Sequence, residues 1–237
     1  MASTISQRPG ARPDPAGGYS LAILVGSSVL VAALIAFAAW LGRSPSPFTW
    51  YLARAAGIML YLLAWTAVVT GLGLTTALFD RWPGRGMVFS LHAYATNLTY
   101  GFLSLHFLSL AADTTIRFTP QQLLVPFISG SREPWTGFGI LAGGLILLVG
   151  ASFTLKRFIG QRAWRALHWL TFPIYLLALL HGVGAGSDTR SPWMAALYLA
   201  TGSAVVLLTS YRLLRAGARA PVAGSATRQA RHATVSR

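Results

Sequence analysis

The sequence predicts an all-α membrane protein, a six-transmembrane-helix bundle, and three observations carry that prediction. Over half of the residues (54%) are hydrophobic and only 10% are charged, far from the balance of a soluble domain of this length. Six apolar runs, each long enough to cross a hydrocarbon layer of about 30 Å, alternate with short polar segments. Nearly all of the basic residues behind the net charge of +14 lie between or beyond those runs, where they read as topology signals and not as a nucleic-acid surface.

Residues 1–18 (MASTISQRPGARPDPAGG) are rich in Pro, Gly and Arg, lack an apolar period and read as a disordered tail. Tyr19 to Leu41 is the first span, long enough to favour a retained helix over the shorter h-region of a signal peptide. After the turn GRSPSPFTW, the second span runs from about Tyr51 to Phe79 and holds Arg54 near its start. On residues alone, snorkelling of Arg54 to nearby headgroups is favoured over pairing with an internal anion. The turn DRWPGRG leads to the third span, about Met87 to Ala112, with His92 and His106. In the polar connection Asp113 to Trp135, the segment QQLLVPFIS is too short to cross, so it lies at the interface or folds back over the bundle. The fourth span, about Phe138 to Leu155, carries Gly143, Gly144 and Gly150, which permit close helix approach. A short basic connection, KRFIGQR, then leads into the fifth span, about Trp164 to Val183, with His168 and His181. Beyond GAGSDTRSPW the sixth span covers about Met194 to Leu214, and residues 215–237 read as a basic disordered tail containing a solvated His232. The membrane domain is therefore expected over residues 19–214.

Six spans place both termini on one side. That side collects Arg8, Arg12, Arg81, Arg85, Lys156, Arg157, Arg162, Arg165, Arg212, Arg215 and Arg219, against Arg43, Arg54, Arg117, Arg132 and Arg190 on the other. The excess puts both termini in the cytoplasm. Trp40, Trp50, Trp82, Trp135, Trp164, Trp193 and Tyr211 fall near span ends, as interfacial aromatics do.

With this topology the third and fifth spans run in the same direction. His92 then faces His168 near the inner leaflet and His106 faces His181 near the outer one. Fourteen residues of helix rise about 21 Å and thirteen about 19.5 Å, so both pairs fit within the hydrocarbon layer. Two imidazoles across a gap at each level suit a six-coordinate haem iron with two axial nitrogens. One haem, a proton relay and packing histidines are the alternatives. At about 100° per residue, fourteen residues return His106 close to the face of His92, but thirteen leave His181 well off the face of His168. Pro173 lies between them and is expected to bend or rewind the helix around Thr171 to Pro173. The chain has no cysteine, which removes thiolate clusters, c-type haem attachment and disulfides.

At LARAAGIMLYLLAW, FSLHAYATNLTYGFLSLHFLSLAAD and LKRFIGQRAWRALHWLTFPIYLLALLHG the chain resembles the ferric reductase-like transmembrane family, the membrane core of ferric reductases and NADPH oxidases. The resemblance covers about Tyr51 to Leu214. It implies a six-helix core, two b-type haems, and His92, His168, His106 and His181 as their iron ligands. It also implies that Arg54 lies near the outer haem propionates, which raises anion pairing above snorkelling. No glycine-rich nucleotide loop follows Leu214, so the expectation is a member without the flavin and nicotinamide module.

The expected function is that of an integral membrane b-type cytochrome of the bacterial cytoplasmic membrane. Electrons pass from a separate cytoplasmic or membrane donor, protein or quinol, through the inner and outer haems to an acceptor at the outer face. The rivals are the haem subunit of a periplasmic methionine sulfoxide reductase system, and a non-haem transporter or scaffold. No nucleic-acid partner is expected, and no side chain is assigned acid or base catalysis.

Overall fold

The computed structural model describes residues 47–218, together with Ala33 and Phe37. Among the described residues the chain is all-helical, with no strand. The tail 1–18, most of the expected first span and His232 lie outside them.

Helix α1 (Phe48–Thr76) is apolar along its length and buries Ala53, Ala56, Tyr61, Ala64 and Leu72. Its threonines are satisfied internally: Thr66, Thr70 and Thr76 donate to carbonyls one turn back, as hydroxyls in an apolar medium must. The helix stops where Ala77 takes a left-handed conformation (φ 57°) and its N–H bonds Gly73 O. A turn at Asp80–Gly84, extended at Trp82 (φ −154°, ψ 128°), reverses the chain. Helix α2 (Arg85–Ala111) then returns along α1 and forms the most extensive helix–helix interface among the described residues. Just beyond its end the buried Asp113 carboxylate accepts from Thr49 Oγ1 (3.0 Å) and from the N–H groups of Thr115 and Ile116, tying the two helices together.

In the connection that follows, the short helix α3 (Pro120–Leu124) is set by a capping box between Thr119 and Gln122, with Pro120 opening it. Leu124, Val125, Phe127 and Ile128 stay exposed, while the Phe127 ring meets Phe138 edge-on at 5.8 Å and so covers the start of helix α4 (Trp135–Thr154). Gly150 of α4 lies under the Tyr100 hydroxyl of α2. Of the three glycines expected to permit close approach, Gly150 does so, Gly143 meets Leu103 at ordinary contact distance, and Gly144 faces open space.

The expected connection KRFIGQR is helical and forms, with the start of the expected fifth span, helix α5 (Lys156–His168), bent by 43° against α6 (Thr171–Ala185), which holds the rest of that span. α5 is amphipathic and basic, with a left-handed Gly160 (φ 78°) inside it. The junction lies at Trp169 and Leu170, ahead of Pro173, which sits in the first turn of α6 where a missing N–H costs no helix bond. Backbone bonds at the junction run three residues back, Leu170 to Leu167 O and Phe172 to Trp169 O. Such a tightened turn advances about 120° per residue instead of about 100°. The two residues between the helices, Trp169 and Leu170, recover about 40° of the roughly 140° by which thirteen residues miss a common face. The tightened turn lies at Trp169 and Leu170 and not at Thr171 to Pro173, the expected place of the rewinding.

Helix α7 (Pro192–Ala218) continues four residues past the expected end at Leu214, so residues 215–218 are helical and not part of a disordered tail. A buried cluster joins α1, α6 and α7: Tyr61 Oη lies 3.2 Å from Tyr175 Oη and 2.5 Å from Thr201 Oγ1, and Trp65 Nε1 donates to Thr201 O.

Among the described residues three helices are long and apolar enough to cross a membrane, Phe48–Thr76, Trp135–Thr154 and Pro192–Gly217, and the bent pair α5–α6 makes a fourth if it counts as one span. α2 has the length, at 27 residues, but its histidines, Asn97, serines and threonines lower its hydropathy. Large apolar side chains such as Leu147, Phe153, Leu199 and Leu207 point outward, the inverse of a water-facing surface.

Candidate functional site

The α1–α2 hairpin and the α4–α6 pair bring the four expected histidines together as the two expected pairs. The ring centres of His92 and His168 are 6.3 Å apart with planes at 68°, and those of His106 and His181 are 6.3 Å apart at 78°. The two levels lie about 21 Å apart along α2, at about 1.5 Å per residue.

Three of the imidazoles are held by the same device. His92 Nδ1 bonds Ala67 O at 2.9 Å, His106 Nδ1 bonds Ala53 O at 2.8 Å, and His181 Nδ1 bonds Trp135 O at 3.0 Å. A carbonyl only accepts, so Nδ1 carries the proton and Nε2 is left as a bare lone pair. Four residues beyond each carbonyl sits a glycine against the ring: Gly71 at His92, Gly57 at His106 and Gly139 at His181. The glycine lets the imidazole lie flat on the neighbouring helix, and the carbonyl one turn earlier fixes its rotation. Thr70 Oγ1 adds a further contact to His92 Nδ1 at 3.2 Å. His168 has no such carbonyl, and its ring is stacked on Trp164 with centres 5.1 Å apart at 25°.

These donors fit a haem iron. Two metal–nitrogen bonds of about 2 Å each, with about 1.2 Å from each nitrogen to its ring centre, span about 6.4 Å. Edge-to-face packing of two imidazoles gives a similar separation, and a buried Nδ1–H needs an acceptor in either case; the carbonyl bonds leave Nε2 of three rings as the nitrogen open to a metal. Metal-binding histidines are held in that way. Among the described residues no group of three or more His, Cys, Asp or Glu assembles, so each level offers two protein nitrogens. Two nitrogens fall short of the four-ligand set of structural zinc. Between the levels, Ala64, Val68, Thr99, Tyr100, Ile146 and Tyr175 are among the residues around a cavity of about 70 Å³.

Arg54 does not snorkel. Its Nε donates to Asp188 Oδ2 at 3.1 Å and its Nη2 to Asp188 Oδ1, a forked pair joining α1 to the α6–α7 loop, with Tyr51 beside the guanidinium. The internal anion it meets is a protein carboxylate. Removing one partner strands the other in a half-buried site, so Arg54→Met is expected to cost about 1–2 kcal/mol. Most of that returns in Arg54→Met/Asp188→Asn, as thermal unfolding in detergent will show; equal Tm values for the single and double variants would refute the coupling.

Sequence reading missed the acceptors and the glycines. Their signal is present: ARAAG (53–57) and AVVTG (67–71) repeat Ala-x3-Gly at fourteen residues, the spacing of His92 and His106. Antiparallel packing of α1 on α2 makes the two spacings meet. Searches of protein-family models, of curated proteins and of solved structures find no match to this chain.

Proposed function

We infer that this chain is a multi-pass cytochrome of b type that carries electrons across a bacterial cytoplasmic membrane. In this reading six spans form the bundle, both termini are cytoplasmic, His92 and His168 hold the inner haem, and His106 and His181 the outer one. The observation that carries it is the pair of imidazole pairs at one common separation, with Nδ1 of three rings bound to backbone carbonyls. The resemblance to ferric reductase-like membrane domains agrees with it.

A haem bound at each level supplies a one-electron iron couple. The protein's own work is positional. Ala53, Ala67 and Trp135 fix the tautomer and rotation of three ligands, and the Nδ1–H bond raises the basicity of each Nε2. Gly57, Gly71 and Gly139 let the rings approach their neighbouring helices. Helices α1, α2, α4 and α6 line the space between the levels with largely apolar surface. Electrons arrive from a cytoplasmic or membrane donor, protein or quinol, and leave to an acceptor at the outer face.

The protein purified in detergent is expected to be red, with two haems per chain and the low-spin spectrum of bis-imidazole iron. A transporter or scaffold would be colourless. Haem absent from protein made with ample haem supply, and not taken up on addition of hemin, would end this reading.

A further inference from the structure

Where α1 ends beside the last turns of α7, two arginines border an open cavity of about 130 Å³ lined by Thr75, Thr76, Arg212, Arg215 and Ala216. Both guanidiniums are held in place. Arg215 Nη1 donates to Thr76 O at 3.0 Å, and the Arg212 guanidinium lies 4.7 Å from the centre of the Trp169 ring, which is itself stacked on Phe172. Carbonyls at a helix C-terminus carry partial negative charge that repels an anion, but here they are already met: Leu74 O by Arg85, Thr76 O by Arg215, and Gly73 O by the N–H groups of Ala77 and Leu78. Among the described residues no hydrogen bond engages Arg212, so its forked N–H donors remain available.

The chain has little to offer as their counter-charge, with only five acids in all. Asp80 pairs with Arg85, while Asp113, Glu133 and Asp188 lie at the opposite end of the bundle, bound to Thr49, Ser129 and Arg54. Asp14 is outnumbered within its own segment by Arg8 and Arg12. A compensating anion therefore comes from outside the chain, and the surroundings of the cavity indicate its class. Trp169 and Tyr211 flank the two guanidiniums as aromatic side chains do at the headgroup level. About 8 Å deeper along α7, Val206 and Leu207 are exposed, as apolar side chains that face acyl chains are. Basic pockets between membrane helices on the cytoplasmic side suit phospholipid headgroups.

We propose that Arg212 and Arg215 form a binding site for the phosphate of an anionic phospholipid in the cytoplasmic leaflet, with both guanidiniums donating to its oxygens and the acyl chains lying along α7. The site rests on this end of the bundle standing in the cytoplasmic headgroup layer, and not on what the histidines hold. It joins three parts of the fold, because Arg215 bonds the end of α1 and Arg212 covers Trp169 at the α5–α6 junction. Thr75 lies one turn beyond Gly71, and Trp169 follows His168. A lipid phosphate seated there fastens α1 and α7 to that junction, on the cytoplasmic side of the inner imidazole pair.

The test titrates the full-length protein, as purified and then delipidated in neutral detergent, with short-chain phosphatidylglycerol, short-chain phosphatidylcholine and inorganic phosphate. Wild type is compared with Arg212→Gln, Arg215→Gln and Arg162→Gln; the last removes the same charge from an exposed position on α5 outside the cavity. Native mass spectrometry counts the bound lipid, and thermal unfolding reads its affinity. Wild type is expected to hold one phosphatidylglycerol saturably, in preference to phosphatidylcholine, with a raised Tm. The affinity should fall about tenfold in Arg212→Gln and in Arg215→Gln, the value of one charge-assisted hydrogen bond, and stay unchanged in Arg162→Gln. Binding without saturation, or an equal loss in Arg162→Gln, would reduce the effect to diffuse charge and overturn the site. Inorganic phosphate that displaces the lipid at equal concentration would reassign the cavity to a free phosphate and overturn the lipid. Haem content is measured in parallel: its loss in Arg212→Gln would give that guanidinium to the haem and overturn the lipid site, whereas a wild type without haem that still holds the lipid would overturn only the cytochrome reading.

Discussion

His181→Ala is expected to leave one haem per chain in place of two, with the remaining haem still low-spin and bis-imidazole. The reason is geometric separation. His181 serves only the outer pair, and the inner pair lies about 21 Å away along α2, held by Ala67 O, Gly71 and Trp164. His92→Ala is the mirror experiment and removes the inner haem, and His92→Ala/His181→Ala removes both. The truncation at position 181 opens a space above Gly139, so millimolar imidazole should restore the six-coordinate spectrum in His181→Ala. Haem extraction and reduced-minus-oxidised spectra read the outcome. Unchanged haem content in both single variants would remove the histidines from the site.

Gly139→Ala should mimic the loss of His181 while every histidine is retained. A Cβ built on Gly139 lies 2.5 Å from His181 Nδ1 and 2.7 Å from its Cε1, well inside van der Waals contact. The imidazole must then lift from α4 and release Trp135 O, losing both its rotation and the bond that fixes its tautomer. A destabilisation of about 1–3 kcal/mol accompanies the overpacking, together with loss of most of the outer haem. The three cradles predict an order. The corresponding Cβ lies 3.0 Å from His106 Cε1 at Gly57 and 3.4 Å from His92 Cε1 at Gly71. Gly57→Ala should therefore be intermediate and Gly71→Ala nearly silent. Haem retention of the three alanine variants against temperature measures this, and a reversed order would show that the glycines do not set the ligand positions.

The histidine pairing was legible because a fourteen-residue spacing within one apolar helix forces both rings to nearly one face. The α1, α2, α4 and α7 boundaries came within three or four residues, since hydrophobicity and the Pro, Gly and Ser of the turns mark them. The division of the fifth segment into α5 and α6 was less legible: Pro173 signals a disturbance, but the break lies three residues earlier, where the backbone tightens ahead of the proline. Arg54 could not be resolved from its position alone, because its partner Asp188 lies in a loop more than a hundred residues away. Backbone acceptors such as Ala53 O and Trp135 O leave no side-chain signature at all. Only the glycines four residues on betray them, and glycine in a membrane helix has many other uses.

Because α1 carries an acceptor and a glycine for each of two ligands on α2, the hairpin tolerates changes in length only in matched form. A codon inserted between Gly57 and Ala67 would rotate one cradle about 100° away from its imidazole, and only a compensating codon between His92 and His106 would bring it back. Natural variants of this chain should therefore gain or lose residues in these two stretches together or not at all, whereas the connection around α3 is free to drift in length.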